Sequence, residues 1–305
     1  MLNARRRFLK GAILAPCLPI LGSRAILAAG AELEAERPDD LPPPRYRLAM
    51  NLEIMFPGSM PHDERISAAA ACGAKHYGFW GHPGKNLDKM LEAQQRHQMT
   101  CVSISGNPKT GWSSGLTEPG KEQAFLDDFE ETCQVAKRFG AENLITFVGK
   151  ARTDVPPEKQ LEQIVQGLRK AGAIAEKYGV YLTLEPLNRV ESPQMTMLTS
   201  ADAFRYAAET NHPHVKVDFD IYHRQLGEGN VLNTLADGLK RGLIHFIEVG
   251  DVPGRKEPGS GESNYPAIFR YLRKVGYAGA IGMEHGSTQT PRHAWNAVRE
   301  MAGLA

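Results

Sequence analysis

Cysteine is scarce in this chain, four residues among 305, which excludes a small secreted domain held by a disulfide scaffold. An excess of one charge is also missing. Lys+Arg number 36 against 35 Asp+Glu, a net charge of +1, so nothing draws the chain electrostatically onto nucleic acid. Outside the N-terminal segment no apolar run reaches the roughly 20 residues that span a bilayer. A Gly-rich dinucleotide fingerprint is lacking too, because Gly81-His82-Pro83-Gly84 follows a strand pattern at the wrong spacing. What remains is an ordinary globular composition, 42% hydrophobic and 23% charged with 20 Pro and 30 Gly. It excludes a disordered, collagen-like or coiled-coil chain, and the length suits one large domain or two small ones.

The first residues read as an address. Arg5, Arg6 and Arg7 precede Phe8-Leu9-Lys10, a mildly apolar stretch runs to about Leu27, and the small residues Ala29-Gly30-Ala31 follow. The block resembles a bacterial twin-arginine export signal, with Ala4 where Ser or Thr is usual. Residues 1–31 are therefore expected to be a signal peptide handled by the twin-arginine export machinery, leaving a soluble periplasmic protein. All five basic residues of this segment (Arg5, Arg6, Arg7, Lys10, Arg24) would leave with it, and no acidic ones, so the remaining chain is mildly acidic. Cys72, Cys101 and Cys133 would remain, an odd number expected to be buried and reduced. Residues 32–45, ELEAERPDDLPPPR, are acidic and then proline-rich, as in a stiff linker.

Beyond residue 45, short apolar runs alternate with longer amphipathic ones. Strands are predicted at Arg47–Phe56, His76–Trp80, Thr100–Ser105, Asn143–Val148, Val180–Glu185, Val215–Ile221, Leu243–Val249 and Ala280–Glu284. Helices are predicted at Asp63–Cys72, Leu87–His97, Lys121–Phe139, Pro157–Tyr178, Ser200–Thr210, Val231–Arg241, Tyr265–Val275 and Pro291–Ala302. Several of these end in a glycine stop, as at Phe139-Gly140, Tyr178-Gly179 and Val275-Gly276. Eight strand-then-helix units predict a single (β/α)8 TIM barrel over residues 46–305; a doubly wound open sheet is the competing architecture.

In a barrel the chemistry sits at the C-terminal ends of the strands, and there the acidic residues gather. The last four strands finish in Leu184-Glu185, Phe219-Asp220, Ile247-Glu248 and Met283-Glu284. Strand alternation lets Leu182, Leu184, Ile281 and Met283 face the helices while the carboxylates point into the barrel mouth. Four converging carboxylates cannot all stay ionised unless a cation sits among them. An all-oxygen donor set suits one divalent ion, Mg²⁺ or Mn²⁺, better than Zn²⁺. Asp218, two residues before Asp220, points to the same side and is a rival ligand.

Three segments then carry a resemblance: Leu184-Glu185-Pro186-Leu187-Asn188, Phe219-Asp220-Ile221-Tyr222-His223, and the run from Val249 to Glu262 with its Pro-Gly-Arg-x-Glu-Pro-Gly-x-Gly-Glu pattern. Together they resemble the hydroxypyruvate isomerase family, within the wider xylose isomerase-like sugar isomerases and epimerases, most strongly from about residue 180 to 285. The resemblance implies one divalent metal held by Glu185, Asp220, Glu248 and Glu284. Asp220 is favoured over Asp218 because Asp-x-Tyr-His is the family pattern. A Glu at position 248, where relatives usually have Gln or His, makes the site more anionic.

The activity implied is an aldose-ketose type isomerisation of hydroxypyruvate or a related small keto-acid or sugar through an enediolate, with Glu185 and Glu284 as acid/base pair. An epimerase or lyase acting on a larger ketose or oxidised sugar is the alternative, and periplasmic export favours it. His223, Arg255, Glu191 and Trp80 are the expected substrate contacts, and Trp112, in the Gly106–Gly115 loop, belongs to a segment long enough to form a lid. A non-catalytic binding protein and a phosphodiester-cleaving barrel are weaker readings. The acidic quartet argues against the first, and the second calls for several His ligands and a basic groove. The expected partner is the small-molecule substrate, not nucleic acid; homo-oligomerisation is left open.

Overall fold

A computed structural model describes residues 41–112 and 115–305. The expected signal peptide and most of the expected linker lie outside the described residues. The last linker residues are packed: Leu41 is buried, and Arg273 donates to the carbonyl oxygens of Leu41 (3.1 Å) and Pro42 (3.0 Å).

Eight strands follow in order: β1 (Arg47–Asn51), β2 (His76–Phe79), β3 (Thr100–Ser105), β4 (Asn143–Thr146), β5 (Tyr181–Leu184), β6 (Val215–Asp220), β7 (Ile244–Val249) and β8 (Ala280–Met283). All neighbours pair in parallel, and β1 pairs with β8 through Arg47↔Ala280 and Leu48↔Ile281. That closure makes the chain a TIM barrel and disposes of the open sheet. The helices are α1 (His62–Cys72), α2 (Leu87–Arg96), α3 (Glu122–Phe139), α4 (Pro157–Tyr178), α5 (Ser200–Thr210), α6 (Ile221–Gly227), α7 (Val231–Lys240), α8 (Tyr265–Lys274) and α9 (Pro291–Met301). No helix among the described residues is long and apolar enough to cross a membrane.

Alternation along the strands divides the apolar residues into two cores. Leu182, Leu184, Val217, Phe219, Ile281 and Met283 join the large cluster shared with the helices. Ala49, Val102, Ile145, Phe246 and Ala280 form a separate small cluster, the filling inside the barrel. Gly282 is part of that filling by omission: a Cβ there would stand 2.8 Å from Glu248 Oε1 and 2.9 Å from Phe246 Cζ. Glycine thus leaves the room that the Glu248 side chain occupies.

Strand ends differ from the sequence reading where side chains intervene. The first strand was expected to reach Phe56 and stops at Asn51, whose Oδ1 accepts from the amides of Glu53 (2.8 Å) and Ile54 (3.2 Å), a local turn that competes with the ladder. The sixth strand was expected to include Ile221. It stops at Asp220, whose carboxylate accepts from Tyr222 N at 2.8 Å and caps the unpredicted α6. Gly140 and Gly179 end α3 and α4 in the left-handed conformation, at φ 72° and 69°, as expected. Cys101 and Cys133 are buried, Cys72 is half-buried, and all three are free thiols.

Near the opposite end of the barrel His245 stacks on Tyr181, ring centroids 3.6 Å apart, and its Nδ1 lies 2.7 Å from Asn143 Oδ1. Burial lowers the His245 pKa to about 4. A histidine that stays neutral in the fold but protonates near 6.5 when unfolded gives stability that is full above that value and declines as pH falls toward 4. Urea unfolding of wild type and His245→Gln should therefore diverge between pH 6.5 and 4.5, the wild type losing stability relative to the variant as pH falls. Equal pH slopes for the two proteins would refute the assignment.

Candidate active site

The loops and strand ends after β5 to β8 place the acidic residues. Glu185 follows β5 directly, Asp220 ends β6, Glu248 is the penultimate residue of β7, and Glu284 follows β8. The pairing register sets Asp220 beside Glu248 and Glu248 beside Gly282. One carboxylate oxygen from each of Glu185, Asp220, Glu248 and Glu284 lies within 4.8 Å of all the others, and all four residues are buried. Asp218 is buried deeper on the same strand face and stands outside this group.

Burial raises the pKa values of Glu185 and Glu248 well above the usual carboxylate range, and the neighbouring carboxylates, Glu284 foremost, push them further. Burial also raises Glu284, with Arg255 opposing and Asp220 reinforcing. Glu248 Oε2 and both oxygens of Asp218 have no hydrogen-bond partner, a costly arrangement for buried charge unless a proton or cation is supplied. Four convergent carboxylates with an unpartnered buried oxygen form the donor set of a hard divalent ion. These residues fit such an ion.

The expected substrate contacts gather around the quartet. Trp80, Glu185, Glu191, His223, Arg255 and Glu284 all line one cavity of about 650 Å³. Trp80 Nε1 donates to Glu284 Oε1 at 2.7 Å, so this indole is not a core residue. His223 accepts at Nδ1 from Asn188 Nδ2 (2.7 Å), leaving Nε2 as the protonated nitrogen, 3.5 Å from both Glu185 Oε1 and Asp220 Oδ2. Burial pulls the His223 pKa down to about 4, so the ring is a neutral donor at pH 7. Glu191 accepts from Tyr222 OH at 2.6 Å and Asn188 Nδ2 at 2.9 Å, and these bonds overcome burial to lower its pKa.

Arg255 departs from the expected pure substrate clamp. Its Nη2 donates to Asp220 Oδ2 at 2.8 Å and to Glu284 Oε2, and its guanidinium lies over the Tyr222 ring at 4.7 Å. It is a counterion to two of the four acids. The loop that delivers it is organised by Asp251, whose carboxylate accepts from the amides of Val252, Gly259, Gly261 and Ser263 at 2.9–3.0 Å. Gly261 is needed there, since a Cβ would stand 2.0 Å from Val252 O. Asp251→Ala should cost about 2–4 kcal/mol by removing the charged acceptor that four loop amides share and lower kcat/KM by misplacing Arg255. Urea unfolding and kinetics would check both, and a loss under about 1 kcal/mol would contradict this role.

Several site residues escaped the sequence reading. Arg224, buried on α6, pairs with Glu228 and donates to the carbonyls of Pro186 and Leu187, fixing the loop after Glu185. Glu53 meets His62 (3.0 Å), Arg65 (3.1 Å) and Lys85 (3.2 Å) at the cavity edge. The Asp cap at Asp220 could have revealed α6 and with it Arg224 one turn on. Nothing local marks Glu53, whose partners come from other elements.

The family model for the xylose isomerase-like TIM barrel matches residues 66–302. Hydroxypyruvate isomerase of Escherichia coli K12 is 26% identical over 243 residues, covering 78% of this chain and 93% of that protein. The 2-oxo-tetronate isomerase of Cupriavidus necator is 29% identical over 244 residues, covering 78% and 92%. Among solved structures, AP endonuclease, family 2, from Brucella melitensis superposes with a TM-score of 0.76 at 26% identity, over 83% of this chain and 98% of that one. The IOLI protein with a bound zinc atom shares the fold at 17% identity and a TM-score of 0.68, over 84% and 98%. The chain is an isomerase and belongs to the xylose isomerase-like TIM barrel family.

Proposed function

We propose that the protein is a divalent-metal-dependent isomerase of 2-keto acids or 2-keto sugars, of the hydroxypyruvate and 2-oxo-tetronate kind. The observation that carries this is the buried quartet Glu185, Asp220, Glu248 and Glu284, of which Glu185 and Glu284 line the cavity. These four residues would hold the ion, Mg²⁺ or Mn²⁺ by their all-oxygen chemistry, and the zinc-bound neighbour supports a divalent metal in this fold. Bound there, the ion supplies Lewis acidity that favours negative charge on substrate oxygens.

The chain's own groups carry the protons. One of Glu185 and Glu284 removes a proton from the carbon beside the carbonyl, giving an enediolate, and the other returns a proton to the former carbonyl carbon. For hydroxypyruvate this moves hydrogen from C3 to C2 while the C3 hydroxyl proton passes to the C2 oxygen, and it yields the aldehyde isomer with no net redox partner. Raised pKa values suit both carboxyls to this exchange near neutral pH. Trp80 fixes the orientation of Glu284, His223 Nε2–H donates to a substrate oxygen, and Arg255 stabilises negative charge on the substrate acid or enediolate. Glu191 anchors a remote hydroxyl. Export by the twin-arginine machinery belongs to the same proposal and rests on Arg5, Arg6 and Arg7.

The test is turnover of hydroxypyruvate, 2-oxo-tetronate and free ketoses by protein loaded with Mg²⁺ or Mn²⁺. Conversion of at least one supports the reading; metal binding with no turnover of any favours a binding protein.

A further inference from the structure

The cavity exceeds what the reacting end of a small keto-acid needs. Volumes of about 300–1,000 Å³ hold drug-sized ligands, and this one, about 650 Å³, also takes in a wall that the proton-transfer chemistry does not use. Trp112 and Phe147 line it, with ring centroids 5.1 Å apart. Trp112 is 52% exposed and Trp80 40%, so two large aromatic surfaces face the same opening.

The described parts of the wall are anchored by hydrogen bonds. Asn107 grips Phe147 through both backbone groups, donating to its carbonyl at 2.8 Å and accepting from its amide at 3.2 Å. Asp128 accepts from the amides of Lys109 and Thr110, both at 2.9 Å, and Leu116 N donates to Val148 O at 2.8 Å. The described residues 107–110 and 116 of this segment are therefore anchored to the barrel, and Trp112 with Phe147 offers a surface on which a ligand can stack.

The polar groups beside the aromatics select the ligand. Ser105, Asn107 and Glu53 line the cavity as hydroxyl partners. Its cations are engaged: Lys85 with Glu53 at 3.2 Å and Gly81 O at 2.5 Å, Arg255 with Asp220 and Glu284. A second phosphate or carboxylate would find no unpaired cation among these lining residues. Flat apolar faces interleaved with neutral and acidic acceptors match a sugar ring, whose C–H face stacks while its hydroxyls donate.

Resting on the isomerase reading above, we infer that Trp112 and Phe147, with Trp80, form a second sugar-ring subsite. The substrate is a 2-keto sugar or sugar acid carrying a glycosyl group beyond its reacting carbons. Intrinsic fluorescence reports on this directly, because two of the three tryptophans line the cavity and the third, Trp295, is buried in α9. The Mn²⁺-loaded protein is titrated with fructose and with the glucosyl-fructoses linked through the fructose O5 and O6 hydroxyls. At least one glucosyl-fructose should bind about tenfold tighter than fructose or better. Trp112→Ala should bring that ratio to within about twofold of unity, and Trp112→Phe should restore most of it. Equal affinities in the wild type, or a ratio that survives Trp112→Ala, overturn the subsite. Turnover recorded on the same samples separates the two claims: preferential binding without isomerisation removes the isomerase reading and keeps the subsite, whereas isomerisation without preference does the reverse.

Discussion

Glu185→Gln and Glu284→Gln should each lower kcat by about a thousandfold on whichever keto-acid or ketose the wild type converts, the usual loss when a positioned acid or base is removed. Glutamine keeps the shape and one ligating oxygen but can neither hold nor release the transferred proton. The fold should survive, because each substitution removes one charge from a buried cluster whose members raise one another's pKa. Thermal unfolding of metal-free Glu185→Gln should match or exceed the wild type, whereas Glu284→Gln, which loses the ion pair with Arg255, should unfold at a lower temperature than Glu185→Gln. Metal content measured by mass spectrometry then separates two ways of failing. Variants that keep metal and lose turnover mark the residues as proton carriers, and variants that lose metal mark them as ligands first. Activity within tenfold of wild type in both would end the two-glutamate account.

The second large effect concerns the ion. Stripping metal with a chelator should abolish turnover, and adding Mn²⁺ at about a hundred times its dissociation constant should stabilise the fold by about 2.7 kcal/mol. For a domain of this size that is roughly 4–5 °C in Tm. The shift should grow with pH. Glu185, Glu248 and Glu284 have folded pKa values raised above their unfolded ones. Their contribution to the metal-free fold is therefore present below about pH 4.3 and declines as pH rises toward the folded values. Metal binding requires the deprotonated forms, so Mn²⁺ should raise Tm more at pH 8 than at pH 5. A pH-independent shift, or none, would show that the quartet is not the binding site.

Much of this was legible in the sequence because it rests on period and position. Eight alternating units gave the barrel, and the two-residue period put Glu185 and Glu284 on the inner face without any knowledge of tertiary contacts. Helix limits set by Pro157 or by Gly179 were readable to the residue, since those residues act through their own backbone. What stayed hidden depends on long-range geometry. Arg255 was readable as a cation on a flexible-looking loop, but its seat between Asp220 and Glu284 comes from Asp251 gathering four amides of that loop. Glu53 and Lys85 meet across two separate strand-end loops, and no local pattern announces such a pair. Gly282 would have passed as a weak strand residue, yet its missing side chain is what admits Glu248.

The most direct test of the central claim is isomerisation by the Mn²⁺-loaded protein in D2O, followed by NMR. Proton transfer through Glu185 and Glu284 predicts deuterium at the carbon that was the carbonyl, because carboxyl protons exchange with solvent. Product that retains the substrate's own hydrogen at that carbon would mean a direct hydride shift and would contradict the enediolate account. No product from any 2-keto acid or ketose, with metal bound, would contradict the proposed function as a whole.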